Sequence, residues 1–289
     1  MKGLAILAVV VGHMATPLSK FIYSWHIPLF FFLSGLLIDT NKSLKESIIK
    51  DFKKLIIPFV LFGLVGLVAE YIKRWLWPGF NFVNENINLK DELFGIFWWM
   101  DFNHLHHYGF VLWFLPALFW AKNFYLVLTK AVNNELVISV TAVILGLLVA
   151  KSGIILPFGL DKGVLGLVWL SMGWLLNGKY WYISLVGLVF MKLPIINVAV
   201  KSIEVYGFIY SLFFINTLVG IFKWLENGLN FFNKFGKMSM EIFVLHPYVN
   251  NVVYFLIIYY LKHDWIVEVV VVLVMVTVVT SIYEKNKRI

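Results

Sequence analysis

Ionisable side chains interrupt two apolar runs near the start of the chain. In KGLAILAVVVGH, Lys2 precedes an apolar run that leads to His13, and in SWHIPLFFFLSG the next run carries His26 near its start. An ionisable side chain inside a membrane span is costly and indicates function by default. A neutral imidazole can move protons near pH 7, so His13 is a candidate for proton transfer. The alternatives are a membrane-surface anchor for Lys2 and a hydrogen-bonded packing role for His13.

The spacing of these residues predicts their depth in a membrane. A helix rises about 1.5 Å per residue, so eleven residues separate Lys2 from His13 by roughly 16 Å, or half the hydrocarbon core. We expect Lys2 at the cytoplasmic surface and His13 near mid-membrane. If the two runs form a hairpin that turns near residues 17–20, His26 reaches the same depth, and both imidazoles can face one cavity. The alternative for His26 is a structural hydrogen bond that orients the hairpin.

A basic cluster occurs in the segment DFKKLIIPF. Lys53 and Lys54 stand just before a third apolar run, and Pro58 lies near the predicted start of that helix. Cationic side chains at the cytoplasmic side would suit an anionic, phosphorylated ligand. An anchor to lipid headgroups is the alternative.

A third histidine lies in the segment MSMEIFVLHPY. His246 directly precedes a proline, which biases its backbone away from ordinary helix. A broken helix at a polar site is tolerated in a membrane only where it is buried in protein or lines water. His246 is therefore a candidate substrate contact, with a structural role as the alternative.

Other ionisable residues give weaker signals. His104, His106 and His107 fall in a loop predicted to be external, and no carboxylate or cysteine has metal-site spacing with them, so we expect no metal. Glu70 and Glu204 lie in or beside predicted spans without further context.

The composition identifies the elements that must position these groups. The chain has 289 residues, of which 61% are apolar and 14% charged, with a mean hydropathy of +0.85. A soluble domain has about 25% charged residues, so a soluble enzyme and a disordered chain are excluded. The absence of cysteine excludes disulfides and a thioester on the protein itself. The net charge of +8 is attributed to cytoplasmic loops and anionic lipids, not to nucleic acid.

The hydropathy pattern predicts an all-α, polytopic membrane protein with about ten spans, although nine or eleven remain open. No extramembrane stretch is long enough for a folded domain, so residues 1–289 are expected to form a single membrane-embedded domain. Fourteen basic residues on one side against nine on the other favour cytoplasmic termini. The run FGIFWWM is predicted to form an interfacial helix. The predicted spans are 3–18, 21–38, 55–77, 109–129, 135–150, 163–177, 180–197, 204–224, 240–260 and 265–283.

Five segments in order carry a resemblance to a known family. KGLAILAVVVGH, SWHIPLFFFLSG, KKLIIPF, LWFLPALF and MSMEIFVLHP are together similar to the membrane acyltransferase-3 family, and most similar to its fucose-acetylase-like branch of sugar O-acetyltransferases. The likeness spans residues 1 to about 250; each motif alone is weak, but their order and spacing are specific. The resemblance implies a ten-helix enzyme of the bacterial inner membrane. It would transfer acetyl from acetyl-CoA to a hydroxyl of a lipid-linked or cell-surface glycan.

The resemblance also implies roles for the donor side of the reaction. The family's basic residue ahead of the helix-one histidine maps to Lys2, and the basic residue of its next motif maps to Lys54. With Lys53, these would hold the phosphates of acetyl-CoA. The helix-one histidine maps to His13, which would act as general base or briefly carry the acetyl group.

On the acceptor side, the family's helix-two histidine maps to His26, which would orient His13 or stabilise the oxyanion. Trp113 matches the tryptophan-containing helix of the family, and with His246 it is a candidate contact for the sugar. No bound cofactor is expected beyond acetyl-CoA as donor, and the partners would be the carbohydrate acceptor and membrane lipids.

The sequence departs from the family pattern at its front edge. The fucose-acetylase-like branch carries an Asp a few residues before the position of Lys2, and that Asp has no counterpart here. This predicts either a late recorded start or an impaired enzyme. A lysine in place of arginine also loses bidentate phosphate recognition. A transporter or flippase for a lipid-linked glycan, and an inactive scaffold, are the competing hypotheses.

Overall fold

The computed structural model of the chain describes residues 1–14, 16–76, 88–98, 108–192, 205–225, 231–260 and 265–287. Every regular element in these ranges is a helix, and no strand occurs among them, which confirms the all-α class. Residues 104–107 and Glu204, singled out above, lie outside the described ranges. The α-helices are α1 Lys2–Gly12, α2 Ser19–Tyr23, α3 His26–Leu36, α4 Leu44–Asp51, α5 Ile57–Leu76, α6 Leu89–Phe97, α7 Phe114–Ala131, α8 Glu135–Ser152, α9 Leu160–Leu176, α10 Trp181–Val189, α11 Val205–Trp224, α12 Phe231–Lys237, α13 Ser239–Tyr260 and α14 Trp265–Lys287.

Four stretches of helix among the described residues are long and apolar enough to cross a membrane. They are Leu44–Leu76, Val111–Ala131, Glu135–Ser152 and Val205–Trp224. The predicted count of about ten spans is not confirmed. Several of the other predicted spans contain helices that are much shorter than a bilayer, such as α1 and α3 with 11 residues each.

The outer face of α8 shows what surrounds the protein. Its buried residues occupy one side, whereas large apolar side chains are exposed on the other, including Leu136, Val140, Ile144 and Leu148. A contiguous exposed apolar stripe of this kind is unstable in water and stable against lipid. The chain is therefore a membrane protein.

The described residues group into two compact units. The first contains residues 1–33 and the described residues from 176 onward, and the second contains residues 34–175. The boundaries fall inside α3 and α9.

Close approach at a small residue defines the packing of the first unit. A Cβ at Gly3 in α1 would collide with the backbone carbonyl of Phe232 in α12, so only glycine permits this contact. The Asn250 side-chain amide of α13 donates to the carbonyl of Val10 at 3.2 Å. Both contacts hold α1 against the C-terminal helices.

The predicted start of the third span is wrong. Leu44–Leu76 is a continuous helical stretch of 33 residues, in which a π-helical turn, Phe52–Ile56, joins α4 to α5. Pro58 therefore lies inside the helix rather than at its beginning. A proline lacks an N–H and its ring clashes with the carbonyl four residues earlier. In the π turn the N–H of Ile57 bonds to the carbonyl of Phe52, five residues back, and this wider turn accommodates the proline.

Two buried carboxylates of the second unit are paired with cationic side chains. Asp51, only 3% exposed, accepts from Lys122 of α7 at 2.5 Å, which links α4 to α7. Glu70 lies buried between Lys73 at 2.7 Å and Arg74 at 3.0 Å on its own helix. Such pairing is the condition for keeping a charge inside a protein. Glu70, to which the sequence analysis assigned no role, thus belongs to an ion-paired cluster within α5.

Two glycine-to-alanine substitutions in the second unit test how closely α3 packs against α9. A Cβ at Gly35 in α3 would collide with the carbonyl of Leu170 in α9, whereas a Cβ at Gly63 in α5 would meet Ile96 at an ordinary 3.6 Å. We expect Gly35→Ala to destabilise the protein by about 1–3 kcal/mol through overpacking. Gly63→Ala should be neutral or stabilising by up to about 1 kcal/mol, because alanine favours helix. The Tm of both variants in the same detergent measures the difference, and equal Tm values would contradict the close α3–α9 contact.

Candidate active site

Three imidazoles meet in the first unit. The ring centroids of His13 and His246 lie 5.2 Å apart, and those of His13 and His26 lie 6.2 Å apart. The three residues come from the C-terminal end of α1, the beginning of α3 and the interior of α13. The sequence predicted the neighbourhood of His13 and His26; the structure adds His246 to it.

Interruptions of the helices determine where His13 and His26 lie. Helix α1 ends at Gly12, and His13 caps it with φ −84° and ψ 13°. Two residues separate α2 from α3, which begins at His26. The predicted continuous spans 3–18 and 21–38 are therefore wrong in this region. Pro17 gives the physical reason for the first interruption, because a proline and the residue before it cannot continue a helix.

Side chains supply the hydrogen bonds that these breaks remove from the backbone. The Ser211 hydroxyl of α11 donates to the carbonyl of Ser24, in the gap between α2 and α3. The Ser19 hydroxyl donates to the carbonyl of Met14 at 2.8 Å, just beyond the end of α1. Inside a membrane an unpaired carbonyl group cannot form a hydrogen bond to water instead. These bonds make the irregular backbone around the histidines stable.

The helix around His246 is continuous, which corrects the expectation of a broken segment. Pro247 lies inside α13. Because proline has no N–H, the carbonyl of Phe243, four residues earlier, loses its helical partner. The His246 ring fills this vacancy: Nδ1 lies 2.7 Å from the Phe243 carbonyl oxygen and 3.2 Å from that of Ile242. Pro247 therefore frees a carbonyl group that holds the preceding His246 imidazole against its own helix.

The acceptors around each ring assign its proton. A carbonyl oxygen can only accept, so Nδ1 of His246 carries the proton and Nε2 carries the lone pair. His13 Nδ1 lies 3.0 Å from the Val9 carbonyl and 3.2 Å from His246 Nε2, so it also carries its proton. His26 Nδ1 donates to the Ile22 carbonyl at 2.8 Å. The lone pairs of His13 and His26 are consequently on Nε2.

The three rings differ in accessibility. His26 and His246 are 1% and 0% exposed, whereas His13 is only partly buried. His26 Nε2 is buried and has no hydrogen-bond partner among the described residues. His13 is thus the partly exposed ring of the three, and the lone pair on its Nε2 can accept a proton or attack a carbonyl carbon. In the part of the chain that the structure describes, no group of histidine and carboxylate side chains could hold a metal ion.

Tyr23 forms a wall of the site that the sequence reasoning missed. Its ring centroid lies 6.0 Å from that of His13 and 5.2 Å from that of His26. Its position three residues before His26, at the end of the short helix α2, was the available signal. The prediction of an unbroken second span hid this signal.

Lys2 lies at the other end of α1 from His13. The helix has 11 residues and is about 16 Å long, as the spacing predicted. Lys2 is exposed, and its Cβ lies 3.5 Å from the position of a Cβ at Gly236 in α12. Helix α12 also carries the exposed residues Lys234 and Lys237. The start of α1 and α12 together form a basic surface, which the sequence did not predict as a unit.

The remaining predicted site residues belong to the second unit. Lys53 and Lys54 are exposed in the π turn between α4 and α5. Trp113 is half-buried at the end of a 3₁₀ turn, with its ring 6.4 Å from that of Phe114 and nearly perpendicular to it. The first unit by itself therefore brings together His13, His26 and His246, and it holds Lys2 at the other end of α1.

Comparison with known proteins identifies the family. The acyltransferase domain model of the acyltransferase-3 family matches residues 1–284. The chain belongs to this family. This acyltransferase-3 protein is accordingly a membrane acyltransferase, and the resemblance inferred from five sequence segments is confirmed at the level of the family. No curated protein and no solved structure matches the chain.

The contacts of Tyr23 predict a graded effect on acyl transfer. Tyr23→Leu removes the aromatic wall against two imidazoles, and such contacts are worth about 0.5–1.5 kcal/mol each. We expect a loss of about 3- to 10-fold in the transfer rate. Tyr23→Phe keeps the ring and should retain at least half of the rate. Initial rates of acyl transfer in membranes with matched protein content provide the measurement, and a large loss in Tyr23→Phe would show that the hydroxyl acts instead.

Proposed function

We propose that this acyltransferase moves an acetyl group from cytoplasmic acetyl-CoA to a hydroxyl of a lipid-linked or cell-surface glycan. The observation that carries the proposal is the Nε2 lone pair of the partly exposed His13 ring, held at the far end of the helix that begins with Lys2. An alcohol attacks a thioester slowly unless a base removes its proton. The choice of acetyl and of a sugar rests on the resemblance to the fucose-acetylase-like branch.

In the proposed reaction His13 acts as general base. Its Nε2 takes the proton of the acceptor hydroxyl while the hydroxyl oxygen bonds to the carbonyl carbon of the thioester. The carbon–sulfur bond then breaks, and the proton on Nε2 passes to the departing thiolate. The products are the acetyl ester and the free thiol of CoA, and His13 returns to its neutral form. A covalent route, in which Nε2 itself takes the acetyl group, would use the same lone pair.

The tautomer of His26 limits what this residue can contribute. With its proton on Nδ1 bound to the Ile22 carbonyl, Nε2 is an acceptor and cannot donate to an oxyanion. The oxyanion role anticipated for His26 therefore does not fit the neutral ring. Of the two roles anticipated for it, orientation of the His13 ring, whose centroid lies 6.2 Å away, is the one that fits.

The donor would be bound at the cytoplasmic end of α1. Lys2, with Lys234 and Lys237 on the adjoining helix, offers positive charge for the phosphates of CoA. The pantetheine arm would follow α1 toward His13. Lys53 and Lys54 remain further candidates for the phosphates, and Trp113 for stacking on a sugar ring. The location in the bacterial inner membrane with cytoplasmic termini is part of the same proposal.

Radiolabelled acetyl-CoA tests the function directly. Inverted membrane vesicles from bacterial cells that express the protein expose the cytoplasmic face to added donor. We expect label in the glycan or glycolipid fraction of these vesicles and none in vesicles that carry His13→Gln. Labelled acetyl that never reaches a carbohydrate, in vesicles with verified protein, would refute the proposal and favour a transporter.

Substitutions at the two ends of α1 should separate binding from chemistry. We expect Lys2→Gln to raise the KM for acetyl-CoA about tenfold, since a charged hydrogen bond is worth about 1.5–3 kcal/mol, and to change kcat little. His13→Ala should lower kcat by about 10²- to 10⁴-fold and leave the affinity for CoA intact. Steady-state kinetics and a CoA-binding assay provide the measurement. Lys20→Gln, at an exposed lysine in α2, is the matched control for lost charge; equal loss of CoA affinity in Lys2→Gln and His13→Ala would contradict this division of roles.

A further inference from the structure

We propose that His246 is the positioning residue of the reaction: its Nε2 accepts the Nδ1 proton of His13 and so keeps His13 Nε2 available as the base. This inference rests on the proposed function and replaces the expectation that His246 contacts the sugar. His246 is completely buried, and both of its ring nitrogens already have partners within the protein. It therefore presents no polar atom to an acceptor.

The proline after His246 determines which nitrogen is the acceptor. Pro247 leaves the Phe243 carbonyl without a helical donor, and His246 Nδ1–H binds that carbonyl at 2.7 Å. The alternative tautomer would leave this carbonyl unpaired and bring it against a nitrogen lone pair, which is unfavourable in a medium without water. The backbone thus fixes the lone pair of His246 on Nε2.

This lone pair points at the nitrogen that must carry the proton of His13. His246 Nε2 lies 3.2 Å from His13 Nδ1, which is also 3.0 Å from the Val9 carbonyl. Two acceptors converge on one N–H, so the proton is held on Nδ1 and the ring cannot turn without losing both bonds. When Nε2 takes the proton of the hydroxyl, His13 becomes a cation whose charge the same two acceptors stabilise.

The proton balance of the step is complete without another reagent. One proton moves from the acceptor hydroxyl to His13 Nε2 and later to the thiolate of CoA. The proton on His13 Nδ1 stays in the hydrogen bond to His246 throughout. This use of a buried acceptor behind a catalytic histidine follows the logic by which a carboxylate orients the histidine of a hydrolase triad.

A structural role of His246 is the alternative, and Asn250 provides the control for it. Asn250 lies one turn further along α13 and ties this helix to α1 through the Val10 carbonyl, without a hydrogen bond to His13. If His246 merely held the two helices together, the loss of either bond would have the same kind of effect.

Three variants test the inference in the inverted vesicles with labelled acetyl-CoA. His246→Leu removes the acceptor at similar volume, His246→Gln keeps an oxygen that can accept from His13, and Asn250→Leu removes the neighbouring tie. We expect kcat to fall about 100-fold in His246→Leu, with the KM for acetyl-CoA within threefold of wild type. His246→Gln should recover at least tenfold of that loss, and Asn250→Leu should lower the Tm with kcat within threefold.

The outcomes are distinct. A kcat of His246→Leu equal to that of Asn250→Leu, or equal losses in His246→Leu and His246→Gln at unchanged Tm, would overturn the positioning role. If wild-type vesicles transfer no acetyl group at all, the proposed function fails, whichever of the two roles His246 has.

A spectroscopic measurement tests the positioning role of His246 even if the His246→Leu variant does not fold. Solid-state NMR of the wild-type protein with ¹⁵N-labelled histidine reports which nitrogen of each ring carries the proton, and His→Gln variants assign the signals. We expect His13 and His246 both to be neutral with the proton on Nδ1. A proton on Nε2 of either ring would overturn the inference.

Discussion

A backbone carbonyl inside a membrane must find a donor within the protein, and the site depends on this constraint. Pro247 removes the helical donor of Phe243, and the His246 imidazole replaces it. Pro28, four residues after Ser24, has no N–H to offer the Ser24 carbonyl, and the Ser211 hydroxyl donates to that carbonyl instead. The same rule that stabilises the irregular backbone also orients the rings. The geometry of the histidines is therefore a consequence of hydrogen-bond satisfaction as much as of packing.

In the second unit, buried carboxylates likewise need partners within the protein. The carboxylates of Asp51 and Glu70 are almost completely buried, and each has a cationic partner within 3 Å. Pairs of this kind are costly to break because the remaining charge is left without water. They hold α4 to α7 and stiffen the end of α5. These ion pairs of the second unit contrast with the neutral, hydrogen-bonded rings of the histidine site.

The sequence predicted the helical membrane class from hydropathy and the approach of His13 to His26 from residue spacing, and the resemblance of five segments indicated the family. It mispredicted the two spans that carry these histidines, since hydropathy does not register a break whose carbonyls accept from serine hydroxyls, one of them on the distant helix α11. It also placed a helix start at about residue 55, near Pro58, because a π turn has no signature in apolar periodicity. The partnership of His246 with His13 joins residues 233 positions apart, and only the folded chain shows it.

Helix α1 has a consequence for the evolution of the proposed donor site. Its first residue is Lys2 and its cap is His13, so the chain itself sets both the distance and the angle between the basic surface and the imidazole. Inserting or deleting one residue would change the separation by only about 1.5 Å but would rotate one end by about 100° relative to the other. If the donor lies along α1 as proposed, a donor of different length cannot be accommodated by the insertion or deletion of single residues in this helix. Only insertions or deletions of whole helical turns would keep the two ends of this helix in the same relative orientation.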